Sequence, residues 1–254
     1  MYFPLLLSGV QAQYPVRTAT WHHFPEASSP GGALWRGTAD APAVRRWFLR
    51  LEDLTDAEVE SLVGLFDWCS GGWRTFAFAD PTRNLLRWSE DLENAAWGKS
   101  PGITVQRSGA GEPAEFQVVN SGAATGQIWQ ELDLPPGALI CLSCETAGEG
   151  VTLRVPGAHR TAPSSSQWLA GFAAGESTGG LQRVELEFPP GATILVRRVQ
   201  AEMQIVPSEY QATYERGGVF PKTRFAGNGL RIVAVAPDRN VVEATLESTM
   251  ESAA

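Results

Sequence analysis

The chain has 254 residues, 43% hydrophobic and 19% charged, enough to bury a sizeable core and close to the length at which one core gives way to two. Its 26 glycines and 17 prolines cut it into short segments, which suits turn-rich β folds and excludes a long helical bundle or coiled coil. Twenty basic against 28 acidic side chains leave a net charge of −8 with no block of Lys or Arg, so a surface built to neutralise phosphates is not expected.

The opening segment, Met1 to Val10, has an apolar patch interrupted by Pro4 and no positive region before it, so no signal peptide is expected. Nowhere do about 18 apolar residues run together, so no membrane insertion is expected. Ser28-Ser29 and Gly31-Gly32 read as a loop. Val44–Leu51 then reads as a strand, followed by the clearest local signal in the chain. Thr55 and Glu58 form a capping box, and Leu54 is placed to staple onto Val59, which predicts a helix over 55–70. Val59, Leu62, Val63, Phe66 and Cys69 make one apolar stripe, assigned to the core, and Gly71-Gly72 supplies a left-handed stop. Trp73–Ala79 reads as a second strand, ended by Asp80-Pro81.

After Asn84 the texture changes to short alternating segments without a second capped helix. Two of them, Gln127–Leu142 and Gln182–Val196, each place Pro-Pro-Gly-Ala between two strands, as a hairpin or a sheet-to-sheet corner. The tail, Gly229 to Thr249, is two alternating strands about Pro-Asp-Arg-Asn. A terminal hairpin this short is marginal unless it joins a larger sheet, and the N-terminal strand–helix–strand unit also lacks partners. The two ends are therefore expected to form one domain, residues 1–83 and 206–254, with residues 84–205 inserted.

Phe3-Pro-Leu-Leu-Leu, the capped helix ending in Gly-Gly-Trp, and Phe76-Ala-Phe-Ala-Asp-Pro resemble the opening domain of distal tail proteins of long-tailed phages and gene-transfer agents. The string Asn84-Leu-Leu-Arg-Trp-Ser-Glu-Asp-Leu-Glu-Asn-Ala-Ala-Trp is similar to the start of a carbohydrate-binding-module-like jelly roll of phage tail proteins, and Val199-Gln-Ala-Glu-Met with Pro207-Ser-Glu-Tyr is similar to the way such modules close. The resemblance covers most of residues 1–225. It implies a mostly β fold: a split β-sandwich with one flanking α-helix plus an inserted jelly roll. It also implies assembly as a homo-oligomeric ring, usually a hexamer, that joins the tail tube protein to the baseplate hub protein at the virion tail tip. The protein would be made in the host cytoplasm, and DNA would pass through the ring without stable binding, in keeping with a net acidic chain.

Several residues invite chemistry. Cys141 and Cys144 have the CxxC spacing, but on a strand such positions point to opposite faces, so a metal or redox pair is not expected. Three cysteines do not make a disulfide scaffold for this length. His22-His23 and the distant His159 give a zinc site little material, and Gly109-Ala-Gly-Glu-Pro-Ala reads as a turn, not a phosphate loop. No cofactor, metal or catalytic residue is expected. The carboxylates Glu112, Glu115, Glu131, Asp133, Glu185 and Glu187 include alternating pairs at the polar positions of strands, the mark of a solvated sheet face. The chain has nine tryptophans, some of them candidates for interfaces, where Trp is enriched. Trp129 falls out of phase with Ile128, Leu132 and Leu134, and Trp168 lies in a Ser/Gly-rich stretch. Both are candidates for contact with a host-surface glycan or a neighbouring subunit. Two rivals remain: a free-standing carbohydrate-binding or receptor-binding minor tail protein, and a glycan-cleaving enzyme with a carboxylate pair in a cleft.

Overall fold

The computed structural model describes residues 1–22, 26–28, 34–36 and 42–249. In chain order the elements are β1 (Arg17–Trp21), β2 (Glu26–Ser28), β3 (Leu34–Arg36), β4 (Val44–Leu54), α1 (Asp56–Trp68) and β5 (Phe76–Ala79). There follow β6 (Gly98–Lys99), β7 (Ile103–Arg107), β8 (Glu115–Asn120), β9 (Gly126–Leu134), β10 (Leu139–Gly148), β11 (Thr152–Val155) and β12 (Ala158–Thr161). The last are β13 (Ser165–Glu176), β14 (Gly180–Phe188), β15 (Thr193–Glu202), β16 (Val219–Phe225), β17 (Arg231–Ala236) and β18 (Arg239–Thr249). The protein is thus mostly β, and its named strands pair antiparallel throughout. The loop expected at Ser28-Ser29 and Gly31-Gly32 lies, apart from Ser28, outside the described residues.

Strands from both ends of the chain share one six-stranded sheet, ordered β1-β4-β18-β16-β5, with β17 beside the first half of β18. The pairing follows from alternation: along β4, Trp47, Leu49 and Leu51 are buried while Phe48 and Arg50 face out, and Val242, Ala244 and Leu246 of β18 continue the apolar face. The sheet curls, so that Trp47 meets Phe220 at 4.6 Å and Phe78 at 5.3 Å between ring centres. The Trp47 indole N–H donates to buried Asp80 (2.8 Å), which Arg45 balances at 3.4 Å. Phe3, Leu6 and α1 close the same cluster. The opposite face gathers Arg46, Arg50, Arg224 and Arg231, which no run of the sequence announced, against Glu243 and Glu247.

α1 begins as its capping box requires: Glu58 N–H donates to the Thr55 hydroxyl (3.3 Å) and Thr55 N–H to the Glu58 carboxylate (2.9 Å). The helix proper is shorter than 55–70, with Thr55 and Cys69 as its caps, and the left-handed turn starts at Ser70 (φ 50°), one residue before Gly71. The buried stripe is Leu62, Leu65 and Cys69, with Val59 and Phe66 packed at its margins. Val63, expected in the core, is only half-buried and Leu65 takes its place. A helix lying on a single sheet buries a narrow face, which leaves one flank of a broad apolar stripe at the rim. The strand expected from Trp73 starts only at Phe76, and Trp73 stands 83% exposed.

Residues in the middle of the chain form a jelly-roll sandwich of two five-stranded sheets, β13-β10-β15-β8-β7 and β12-β11-β14-β9-β6. Ile128, Leu132 and Leu134 of β9 meet Ile140 and Leu142 of β10 and Ile194 and Val196 of β15 in one cluster. Both Pro-Pro-Gly-Ala segments are corners, not hairpins: each carries the chain from one sheet to the other. Each is closed by the same bond, Ala138 N–H to Pro135 O and Ala192 N–H to Pro189 O, both 3.3 Å.

The chain enters the sandwich and leaves it at one place. The buried Asn84 amide donates to Val199 O and Gln211 O (3.1 Å each), and its oxygen accepts from Leu86 N–H (3.1 Å) and Ala201 N–H (3.0 Å). Thr213 N–H donates to the Ser89 hydroxyl (2.9 Å), Thr213 Oγ1 donates to Leu86 O (2.8 Å), and Tyr210 donates to Glu90. Gly217 passes so close to Leu85 that a Cβ there would lie 2.1 Å from the Leu85 oxygen. The two strings that carried the family resemblance are therefore the two sides of this crossing. Tyr2 adds a tie by donating to Asp133 (2.6 Å), and Leu5, Ala79 and Val219 pack on the sandwich cluster.

Removing the Asn84 amide strands two buried N–H groups and two carbonyls. The expected cost of Asn84→Ala is about 2–4 kcal/mol, read as a lower urea midpoint; a change within about 0.5 kcal/mol would show that the crossing is held by packing alone.

Candidate functional site

The two tryptophans singled out in the sequence lie on opposite outer faces of the sandwich. Trp129 is on β9 in one sheet and Trp168 on β13 in the other, so the fold does not bring them into one site.

Trp129 is spoken for. It stands opposite Gly98 of β6, and a Cβ at Gly98 would come within 2.3 Å of the indole, so the ring lies where a side chain would otherwise be. The Arg183 guanidinium stacks 4.3 Å from its ring centre and reaches Glu131 at 3.6 Å. Beside it, Arg154 lies 2.6 Å from Glu187 and 3.8 Å from Glu185, and Gln127 donates to Glu187 at 3.0 Å. Burial, then the neighbouring Glu187 charge, raise the Glu185 carboxyl above its ordinary value, and Arg183 and Arg154 work against this. Glu185 and Glu187 thus lie on an outward face among arginines, whereas Glu131 and Asp133 of β9 also line the cleft where the sandwich meets β16.

Trp168 stacks on Arg197, whose guanidinium carbon is 4.1 Å from the ring centre. Arg197 comes from β15 and is held by Glu145 of β10 (2.7 Å) and Glu115 of β8 (2.9 Å); Arg198 also reaches Glu145, at 2.8 Å. Arg198 sits at φ 53°, beside the register shift where β10 and β15 pair, and that irregularity puts consecutive arginines within reach of one carboxylate. Burial opposes the Glu145 charge, but hydrogen bonds from Arg197 and Arg198 outweigh it and hold the carboxyl below the usual range. Phe172, on the same strand as Trp168, lies under Arg160 at 5.3 Å. The result is an aromatic ring with one face on a fixed cation, ringed by donors and acceptors. Such a surface suits a ligand with one apolar face and a rim of hydroxyls.

The remaining candidates fall elsewhere. Cys141 and Cys144 are free and buried; only Cys144 joins the sandwich core, and burial pushes both thiols up to about 12. That suits neither metal binding nor redox exchange. His159 is exposed on β12, and His23 lies outside the described residues. Gly109–Ala114 is the connection between β7 and β8. Among the described residues no group of three or more His, Cys, Asp or Glu gathers as a ligand set, and no helix is long and apolar enough to cross a membrane. A cleft of about 480 Å³ lies where the sandwich meets β16, lined by Leu132, Leu181, Phe220 and Pro221 with Arg87, Glu131 and Lys222.

Sequence reading missed the arginines that define both tryptophan sites. One signal was present: Trp129 and Arg183 sit at the same distance before their Pro-Pro-Gly-Ala corners, so they share the outward phase of neighbouring strands.

No protein-family model matches the chain, and no curated protein does either. Among solved structures, the CBM22-1 xylan-binding domain of Paenibacillus barcinonensis Xyn10C aligns at 10% identity and TM-score 0.38, over 51% of this chain and 97% of its own. TmCBM61, solved with β-1,4-galactotriose, aligns at 14% and 0.36, over 48% and 100%. The enzymatically active domain of tailspike protein 4 of bacteriophage CBA120 aligns at 17% and 0.36, over 50% and 22%. Likeness at this level identifies no family.

Because the folded state holds Glu145 below the ordinary carboxylate range, its charge contributes stability above about pH 4.3 that is lost as pH falls through the folded value. Glu145→Gln is expected to be less stable than the natural chain at pH 7, with the gap narrowing as pH falls below about 4.3, by thermal unfolding across pH; a gap that does not change with pH would assign the effect to packing.

Proposed function

We propose that this chain is a structural, non-catalytic subunit of a phage-like tail tip, self-assembling into a ring between tail tube and baseplate hub with the sandwich projecting outward. The observation that carries the reading is the weave of both chain ends into one sheet, from which the sandwich hangs at the Asn84 crossing. Rings close through heterologous contacts between successive copies, and a module carried on one short crossing leaves the sheet edges available for them. The sequence resemblance to distal tail proteins points the same way, and the pairing of the face carboxylates with arginines supports a surface without an acid–base couple. Electron micrographs of the purified protein at micromolar concentration are expected to show rings with a central hole; monodisperse monomers by mass photometry would overturn the assignment.

The Trp168 face supports a second role, glycan contact from the projecting sandwich. Titration with soluble neutral oligosaccharides, followed by calorimetry, is expected to give binding that Trp168→Ala weakens at least about tenfold, ~1.4 kcal/mol, while Trp129→Ala leaves it unchanged. Equal losses at both positions, or binding untouched by either, would remove Trp168 as the contact.

A further inference from the structure

Two strands of the six-stranded sheet, β1 and β17, have an edge without a partner among the described residues, whereas β5 is bridged by Met1–Phe3. β17 packs on β18 alone, and no backbone group of Arg231–Ala236 bonds to any other described segment. All six residues are exposed, and Ile232, Val233 and Val235 are open by 41%, 44% and 63%. An edge strand of this kind carries unsatisfied N–H and C=O groups and is a template for pairing with another chain. Natural edges are guarded by lysine, proline or inward charge. Within β17 the devices are the register shift at Ala234/Ala236 and Arg231, whose charge is taken up by Glu243 at 3.1 Å, so the run Ile232–Ala236 carries no charge of its own, and Pro237 comes after the strand. An unguarded strand of this composition is either an aggregation site or a covered one.

On the other side of the sheet β1 pairs with β4 only, and its outer edge is free among the described residues. Three facts make it the complement of β17. First, β1 is antiparallel to β4, β4 to β18 and β18 to β17, so β1 and β17 run in opposite directions. A copy placed beside another without inversion therefore meets it as an antiparallel pair. Second, the edges are staggered: β1 lies beside Val44–Phe48, level with Thr245–Thr249 of β18, whereas β17 lies beside Arg239–Glu243. A sheet that closes on itself requires such a stagger together with strand tilt. Third, the faces match. Arg17, Ala19 and Trp21 stand on the same outer face as Arg231 and Val233, so joining the edges keeps outer face with outer face.

We propose that β17 of one copy adds to the free edge of β1 of the next, so that the sheets of successive copies run on as one closed antiparallel barrel. This rests on the ring reading and names the contact that makes the ring. The joint is heterologous, the same two different edges at every junction, which is the kind of contact that closes into a cycle.

A paired-cysteine variant tests it. Ala19→Cys and Val233→Cys in one chain lie three strand spacings apart across the sheet and, level with Glu247 and Val241 of β18, well apart along it, about 25 Å in all, beyond disulfide reach within a copy, and the three natural cysteines are buried. With a short bis-maleimide the double variant is expected to give a ladder of covalent multimers up to the full ring on a denaturing gel, and each single variant only background. Separately, Val233→Lys with Val235→Lys is expected to turn rings into monomers with an unchanged circular-dichroism spectrum. Rings that persist in the lysine variant, or a double-cysteine ring that yields no ladder, overturn the edge joint and leave the ring reading standing. A natural chain that forms no rings overturns both.

Discussion

A chain that departs from a half-built sheet, folds a complete sandwich and then returns to finish the sheet must bring its exit and re-entry to one spot. The buried amide of Asn84 meets that constraint. Three of its four hydrogen bonds tie the outgoing strand end to Val199, Ala201 and Gln211 on the incoming side, and the fourth accepts from Leu86 N–H on its own side. In a low-dielectric interior each bond is strong only because every partner is satisfied. Asn is suited to the position because its amide offers two donors and a two-lone-pair acceptor on one short side chain. Around it Ser89, Thr213, Glu90 and Tyr210 complete a polar seam in which Tyr210, buried and bonded to Glu90, is held far from ionising. The seam joins two apolar clusters that also meet through Tyr2, Leu5, Ala79 and Val219 and through the Leu139 N–H bond to Gly9 O.

The sandwich faces follow a different rule. Inside, alternation buries aliphatic side chains; outside, the same alternation sets arginine beside glutamate and leaves two tryptophans in the same rows. A single exposed ion pair contributes little. Here each arginine serves twice, neutralising carboxylates and covering an indole, so the aromatic rings are fixed in orientation at small entropic cost. For Trp129 the fixing is complete, with Gly98 beneath and Arg183 stacked on the ring. Trp168 stacks on Arg197 without a glycine of a paired strand beneath it, which is why the two similar residues divide into a structural piece and a candidate contact.

What could be read from the sequence was what is decided locally. The capping box of α1, the alternating strands and the turn residues of both proline-rich corners depend on neighbours within a few positions. Whether those corners made hairpins or crossed between sheets was open, since the turn bond is identical and only the strand partners differ. The helix stripe erred by one flank because Val63 and Leu65 are equally apolar and the sheet beneath decides between them. The arginine clasps were invisible for the same reason: Arg197 reaches Glu145 and Glu115 across three strands far apart in the chain. The arginine row on the six-stranded sheet is scattered over β4, β16 and β17, so no run of basic residues advertised it.

Because exit and re-entry lie side by side at Asn84, the host sheet meets the inserted module chiefly as a closed loop of fixed span, with Tyr2, Leu5 and Gly9 adding contacts at its rim. A module of any size whose two termini meet at that spacing leaves the strand pairings of the host intact, since loop length adds little to closure entropy. Exchange of the whole module between related chains therefore requires conservation of the stitch and not of the fold it carries. Such an arrangement lets the host sheet stay constant while the module it carries is replaced wholesale.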